Sequence, residues 1–252
     1  MALPRFFSKM LLLLALGAGS ASAQLALTFE KGQTKTHQSI QQVLSKSQYL
    51  KDFATYFNDR IKFPRKLKIQ FLSCDEENAY YAPDTHSIEM CYELINLYSK
   101  LEEKDTSKED RMLNATVFTL LHELGHALID QLKLPSTGRE EDAVDQFATL
   151  ALLSLEDEAG IYSGITQFLS DAEEDAEGEL DFSDSHSLNM QRMYDMTCLV
   201  YGSNPKKFKS IPRDYDLPKE RSSTCQEEYS HARYAWNTLL KPYLKSSRMD
   251  LL

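Results

Sequence analysis

His122, Glu123 and His126 are the residues of this chain whose types and spacing could do chemistry together. They lie in Val117-Phe-Thr-Leu-Leu-His122-Glu123-Leu124-Gly125-His126-Ala-Leu-Ile-Asp130, inside an unbroken helical pattern running from about Glu109 to Leu132. Four residues are about one helical turn, so the two imidazoles share a face and can grip one ion. Glu123 is rotated about 100° from His122, beside that ion, where it suits a general base acting on metal-bound water. The spacing H-E-x-x-H arises by chance in roughly 1% of chains of this composition, so it needs partners before it carries weight. Gly125 points the same way: it costs about 1 kcal/mol in a helix interior, which is understandable if something must approach the backbone there.

Two imidazoles do not complete a catalytic zinc site, which usually has three protein ligands and a water. A third histidine six positions after His126 would make a metzincin, but that position is Leu132. The alternative is a carboxylate from a following helix. Pro135 to Gly138 turns the chain, and Glu140-Glu141-Asp142-Ala-Val-Asp145 opens the next helix, running back against the first. Glu141 and Asp145 are four apart and share a face, so Glu141 is read as the third ligand. Asp145 is read as the acceptor that fixes a histidine ring through its other N–H. Glu140 and Asp142 are acids that suit a helix N-terminus.

At these residues the chain resembles the gluzincins, whose H-E-x-x-H helix is followed by a helix bearing E-x-x-x-D. The resemblance is closer to a family of bacterial zinc metallopeptidases known mainly as a domain of unknown function. It is carried by Asn78-Ala-Tyr-Tyr-Ala-Pro83, Cys91-Tyr-Glu93-Leu, the two metal helices and Tyr201-Gly-Ser-Asn-Pro205, and it covers nearly all of residues 24–252. It implies Zn²⁺ as cofactor and peptidase chemistry. The 14 residues between His126 and Glu141 are fewer than in thermolysin-like members, which leaves Glu140 and Asp142 as substitutes for Glu141.

A second constellation, Asp184-Ser-His186-Ser-Leu-Asn-Met-Gln191-Arg192-Met-Tyr194, resembles an H-x-x-x-x-Q-R element that follows the metal helices in related neutral zinc metallopeptidases. A zinc hydrolase needs a donor for the oxyanion formed when water attacks a carbonyl, and His186, Arg192 or Tyr194 could supply it. His186 is the leading catalytic candidate; Arg192 could instead pair with Asp145. Tyr80 and Tyr81 belong to a short strand of the kind that aligns an extended peptide, with core packing the competing role. Trp236 falls in an apolar helical stripe and is assigned to the core.

The elements that must position these residues can be read from the pattern around them. Thr36 to about Asp59 reads as one helix and Leu25 to Glu30 as a short strand. Lys66–Ser73, Asn78–Pro83 and Ser87–Tyr92 read as a small antiparallel sheet, and the chain after Glu93 reads as helical. The expectation is a single α+β, zincin-like domain over residues 24–252, with a small antiparallel sheet packed on a mainly helical bundle carrying the H-E-x-x-H helix.

Residues 1–23 have a basic start, a short apolar run and an Ala21-Ser22-Ala23 end, the form of a secretory signal peptide. The run is too short for a stable membrane anchor, so a periplasmic or secreted protein is expected. Without that segment the chain has 26 Lys and Arg against 38 Asp and Glu, a net charge of −12. That surface repels phosphate backbones and disfavours nucleic acid as a partner. Four cysteines in an exported chain imply two disulfides, and the simplest of the three connectivities open to them joins sequence neighbours, Cys74 to Cys91 and Cys198 to Cys225. The acidic run from Asp171 to Asp184 has no Lys or Arg and lacks EF-hand spacing; it reads as a solvated helix end, with calcium or basic substrates as the other options.

These features together favour an exported zinc metallopeptidase acting on a peptide or protein substrate. The rival reading is a zinc-bound, non-hydrolytic protein that holds a peptide or cell-envelope partner, and the intact Glu123 argues against it.

Overall fold

The computed structural model describes residues 24–101, 106–177, 180, 182–246 and 250–252. The expected signal peptide lies outside these residues, as do two acids of the acidic run, Glu179 and Asp181. Four strands are described: β1 (Leu25–Phe29), β2 (Leu67–Leu72), β3 (Ala79–Ala82) and β4 (Ser87–Cys91). The helices that matter for the site are α1 (Lys35–Lys46), α2 (Gln48–Arg60), α3 (Tyr92–Tyr98), α4 (Lys108–Leu132), α5 (Glu140–Ser154), α6 (Glu158–Glu177) and α7 (Asn189–Ser203). Two short helices, α8 (Ile211–Asp214) and α9 (Lys219–Ser222), the longer α10 (Cys225–Leu240) and a 3-10 turn (Lys241–Tyr243) complete the α+β arrangement of the described residues.

The sheet is mixed, which corrects the expected antiparallel arrangement. Its order is β1-β2-β4-β3, with β1 and β4 both parallel to β2 and only β3 antiparallel, to β4. Burial explains the order. Leu67, Ile69 and Phe71 on β2 and Ile88 and Met90 on β4 are fully buried, whereas no residue of β3 is. The strands that bury a full apolar face lie in the middle of the sheet, and the half-exposed strand β3 lies at its edge. The β3–β4 hairpin therefore docks through β4, leaving the tyrosine-bearing strand outermost.

The helix expected from Thr36 to Asp59 is two helices broken at Ser47. The Ser47 hydroxyl accepts from the Leu50 N–H at 3.3 Å and starts α2, so local capping overrides the continuous apolar stripe. The long helix α4 follows its expected bounds within a residue. Ser107 caps it through the Asp110 N–H at 3.1 Å, Glu109 and Asp110 favour its dipole, and Lys133 ends it in the left-handed region at φ 54°.

α4 is the central element, packed against β3, β4, α3, α5 and α6. Trp236 is buried against Phe147 of α5, at 4.9 Å between ring centroids, and belongs to the core as expected. The cysteines pair as sequence neighbours: Cys74–Cys91 ties the end of β4 to the loop after β2, and Cys198–Cys225 ties α7 to α10. Two disulfides fit an oxidising, non-cytoplasmic compartment. Among the described residues no helix is long and apolar enough to cross a membrane.

Gly125 is where α5 presses on α4. A Cβ there would lie 2.8 Å from both Cβ and Cγ1 of Val144 and 3.3 Å from its Cα. Only glycine permits that approach, which brings Glu141 and Asp145 within reach of the histidines. Gly125→Ala is therefore expected to destabilise the fold by about 1–3 kcal/mol through overpacking. It should also weaken metal retention by moving α5 outward; chemical denaturation and metal content of the purified variant measure the two effects.

Candidate metal centre

Between edge strand β3 and the helices α4 and α5 lies a cleft of about 440 Å³. His122, Glu123, His126, Glu140, Glu141 and His186 line one wall, with Tyr80 and Tyr81 on the strand side. Because α5 runs back along α4 after a short turn, the late position His126 meets Glu140 and Glu141 while the earlier His122 meets Asp145.

Three imidazoles converge on one carboxylate oxygen. Glu141 Oε2 lies 3.2 Å from His122 Nε2, 3.2 Å from His126 Nε2 and 3.0 Å from His186 Nε2. The ligand atoms of His122, Glu141 and His186 are all within 4.8 Å of one another. Each ring also has a carboxylate at its other nitrogen. His122 Nδ1 is 2.8 Å from Asp145 Oδ1, His126 Nδ1 is 2.7 Å from Glu140 Oε1, and His186 Nδ1 is 3.0 Å from Asp184 Oδ1.

This arrangement tests whether the residues fit a metal. A neutral imidazole has one N–H, so a ring between two carboxylates turns a lone pair towards an acceptor unless a proton or a cation intervenes. Protons alone would have to charge all three rings. The pKa directions say the same: burial lowers the His122 pKa, yet hydrogen bonding to Asp145 and Glu141 raises it overall to about 9. His126 is likewise raised against its burial by Glu141 and Glu140, and His186 is raised chiefly by Glu141. Burial opposes the ionised form of Glu141, but the three imidazoles hold it far below the usual carboxylate range. A divalent cation on the Nε2 side would satisfy neutral rings and the carboxylate together, and a nitrogen and oxygen donor set suits zinc.

Glu123 is buried and faces the cleft. Burial raises its pKa, more than the neighbouring His122 and His126 lower it. Such a carboxylate is a stronger base than one in water. Behind His122, Asp145 accepts two bonds from Arg192, Nε to Oδ2 at 2.7 Å and Nη2 to Oδ1 at 3.0 Å. The guanidinium lies over the Phe168 ring, 4.3 Å from its centroid. Burial disfavours the Asp145 anion, but His122 and Arg192 together lower its pKa.

Of the residues singled out from sequence, His122, Glu123, His126, Glu141 and His186 meet in the cleft. Asp145 and Arg192 stand behind them, and Tyr194 packs beside the Cys198–Cys225 pair instead. Tyr81 is half-buried with its hydroxyl donating to Asp130 Oδ2 at 2.8 Å, and Tyr80 donates to Glu89 Oε2 at 2.7 Å. Two partners were not assigned from sequence, Glu140 to His126 and Asp184 to His186. The rule that a ligating histidine hands its other N–H to a carboxylate was the signal for both, since each acid sits beside a residue already singled out.

An H-E-x-x-H helix facing a helix of acids, with imidazoles gathered on one carboxylate, defines a metal-site protein on an α+β frame. A family model described as "Putative metallopeptidase" matches residues 29–240, and the chain belongs to that family. No curated protein and no solved structure matches it.

Proposed function

We propose that this protein is an exported zinc-dependent metallopeptidase, a single domain over residues 24–252, acting on peptide or protein substrates. The observation that carries the reading is the meeting of His122, His126 and Glu141 beside Glu123 in one cleft. His122, His126 and Glu141 would hold Zn²⁺, which when bound acts as a Lewis acid on a carbonyl and acidifies a coordinated water. Glu123, made more basic by burial, takes the proton from the attacking water and delivers it to the leaving amine nitrogen. Asp145 holds the His122 ring with Nδ1–H directed at Oδ1, so that Nε2 offers its lone pair to the cleft. Arg192 keeps Asp145 ionised and oriented. The outer edge of β3 runs along the cleft and supports an extended peptide lying beside it. The disulfides, together with the leader-like residues 1–23, support export.

The test is metal content and cleavage measured on the same preparation. Purified protein should carry about one zinc per chain, and a chelator should abolish hydrolysis of a peptide library that restored zinc then recovers. Absence of bound metal would overturn the reading. Bound metal without cleavage of any peptide would favour the non-hydrolytic binding protein instead.

A further inference from the structure

The third imidazole has a geometry that an oxyanion donor does not require. His186 lies in the loop entering α7, far along the chain from the metal helices, yet its Nε2 approaches the same Glu141 oxygen as the other two rings and at the shortest of the three distances, 3.0 Å. Its ring is nearly parallel to that of His122, at an interplanar angle of 16°. Its Nδ1 faces Asp184 Oδ1 at 3.0 Å, and the same oxygen accepts the His186 backbone N–H at 2.7 Å. An imidazole whose Nδ1–H is committed to a carboxylate presents a lone pair at Nε2, which is the form that ligates a metal. His122 and His126 are held in the same way by Asp145 and Glu140.

The loop is fixed by the helix turn that carries Glu141. Arg139, at the start of α5, donates to the carbonyl oxygens of His186 at 2.7 Å and Asp184 at 3.2 Å, and Ser187 Oγ donates to Asp142 Oδ1 at 2.7 Å. Glu141 and His186 are thus positioned by one framework.

We propose that His186 is a fourth protein ligand of the metal, so that His122, His126, Glu141 and His186 close the resting site. This rests on the metal reading above and deepens it. A site closed by four protein groups holds its metal tightly but leaves no position for water. Catalysis would then require the His186 imidazole to withdraw, and the ring, with 43% of its side chain exposed, has solvent to move into.

X-ray absorption of the zinc-loaded wild-type protein should count three imidazoles and one carboxylate at the metal. In His186→Gln and His186→Ala the count should fall to two imidazoles with a water in place of the third. Chelator competition should show the dissociation constant for zinc rising tenfold or more in both. His231→Ala, on the exposed face of α10, should change neither reading. An oxyanion donor predicts the reverse: unchanged metal affinity and a fall in kcat of about 10²- to 10³-fold. Two imidazoles in the zinc-loaded wild type, or unchanged zinc affinity in folded His186 variants, would overturn the proposal while leaving the metallopeptidase reading intact. A wild-type protein that takes up no zinc would overturn both.

Discussion

Glu123→Gln is expected to bind zinc as the parent does and to lose peptide hydrolysis by about 10²- to 10⁴-fold. The amide is nearly the same size as the carboxylate, and its oxygen can still accept a hydrogen bond. What it cannot do is take a proton from water. Glu123 is buried and its ionised form is penalised by that burial, so the neutral side chain should leave stability unchanged or slightly raised. The effect should therefore appear in kcat, with metal content and thermal midpoint near those of the parent. Full turnover in the variant would remove Glu123 from the mechanism, and loss of zinc would reassign it to metal binding.

The second large effect is expected at Asp145. It is buried, and it joins the site to the scaffold by accepting from His122 on one side and two bonds from Arg192 on the other. Removing one partner of a buried ion pair leaves the other charge uncompensated, which costs about 3–5 kcal/mol. Asp145→Ala should lose that much in a denaturant titration. It should also bind zinc about 10- to 100-fold more weakly, because the His122 ring loses the group that orients it. The two losses can be separated. Adding Arg192→Met removes the stranded guanidinium and should restore most of the stability, but the zinc affinity should stay low. Recovery of both in the double variant would mean that Asp145 serves the fold alone.

The helix pair was legible because it obeys local rules. Ser107, Glu109 and Asp110 start α4, an apolar pattern sustains it, and Pro135 to Gly138 turn the chain so that α5 must come back along it. Fixed helical geometry then puts His122 beside His126 and Glu141 beside Asp145, whatever the rest of the protein does. The alternating apolar residues of β2 and β4 were equally plain, but the order of the strands was not. Nothing in Asn78–Pro83 states that β3 pairs with β4 alone, since that follows from which strands the helices bury. Ser47 shows the opposite limit: a capping serine inside an unbroken apolar stripe splits one expected helix into two.

His186 shows how far residue types can be read before distance in the chain hides their meaning. Its pairing with Asp184 is local, whereas its approach to Glu141 depends on Arg139 and Asp142 fastening a distant loop to the first turn of α5. Glu140, which suits a helix dipole, likewise becomes the partner of His126 only when α5 is docked on α4. From sequence alone came the metal-helix motif, the returning acidic helix, the expectation of two disulfides and the α+β class, because short-range periodicity and composition encode them. The strand order, the approach of His186 to Glu141 and the pairing of Glu140 with His126 were decided by tertiary packing, because burial and long-range contacts have no signature at a fixed spacing along the chain.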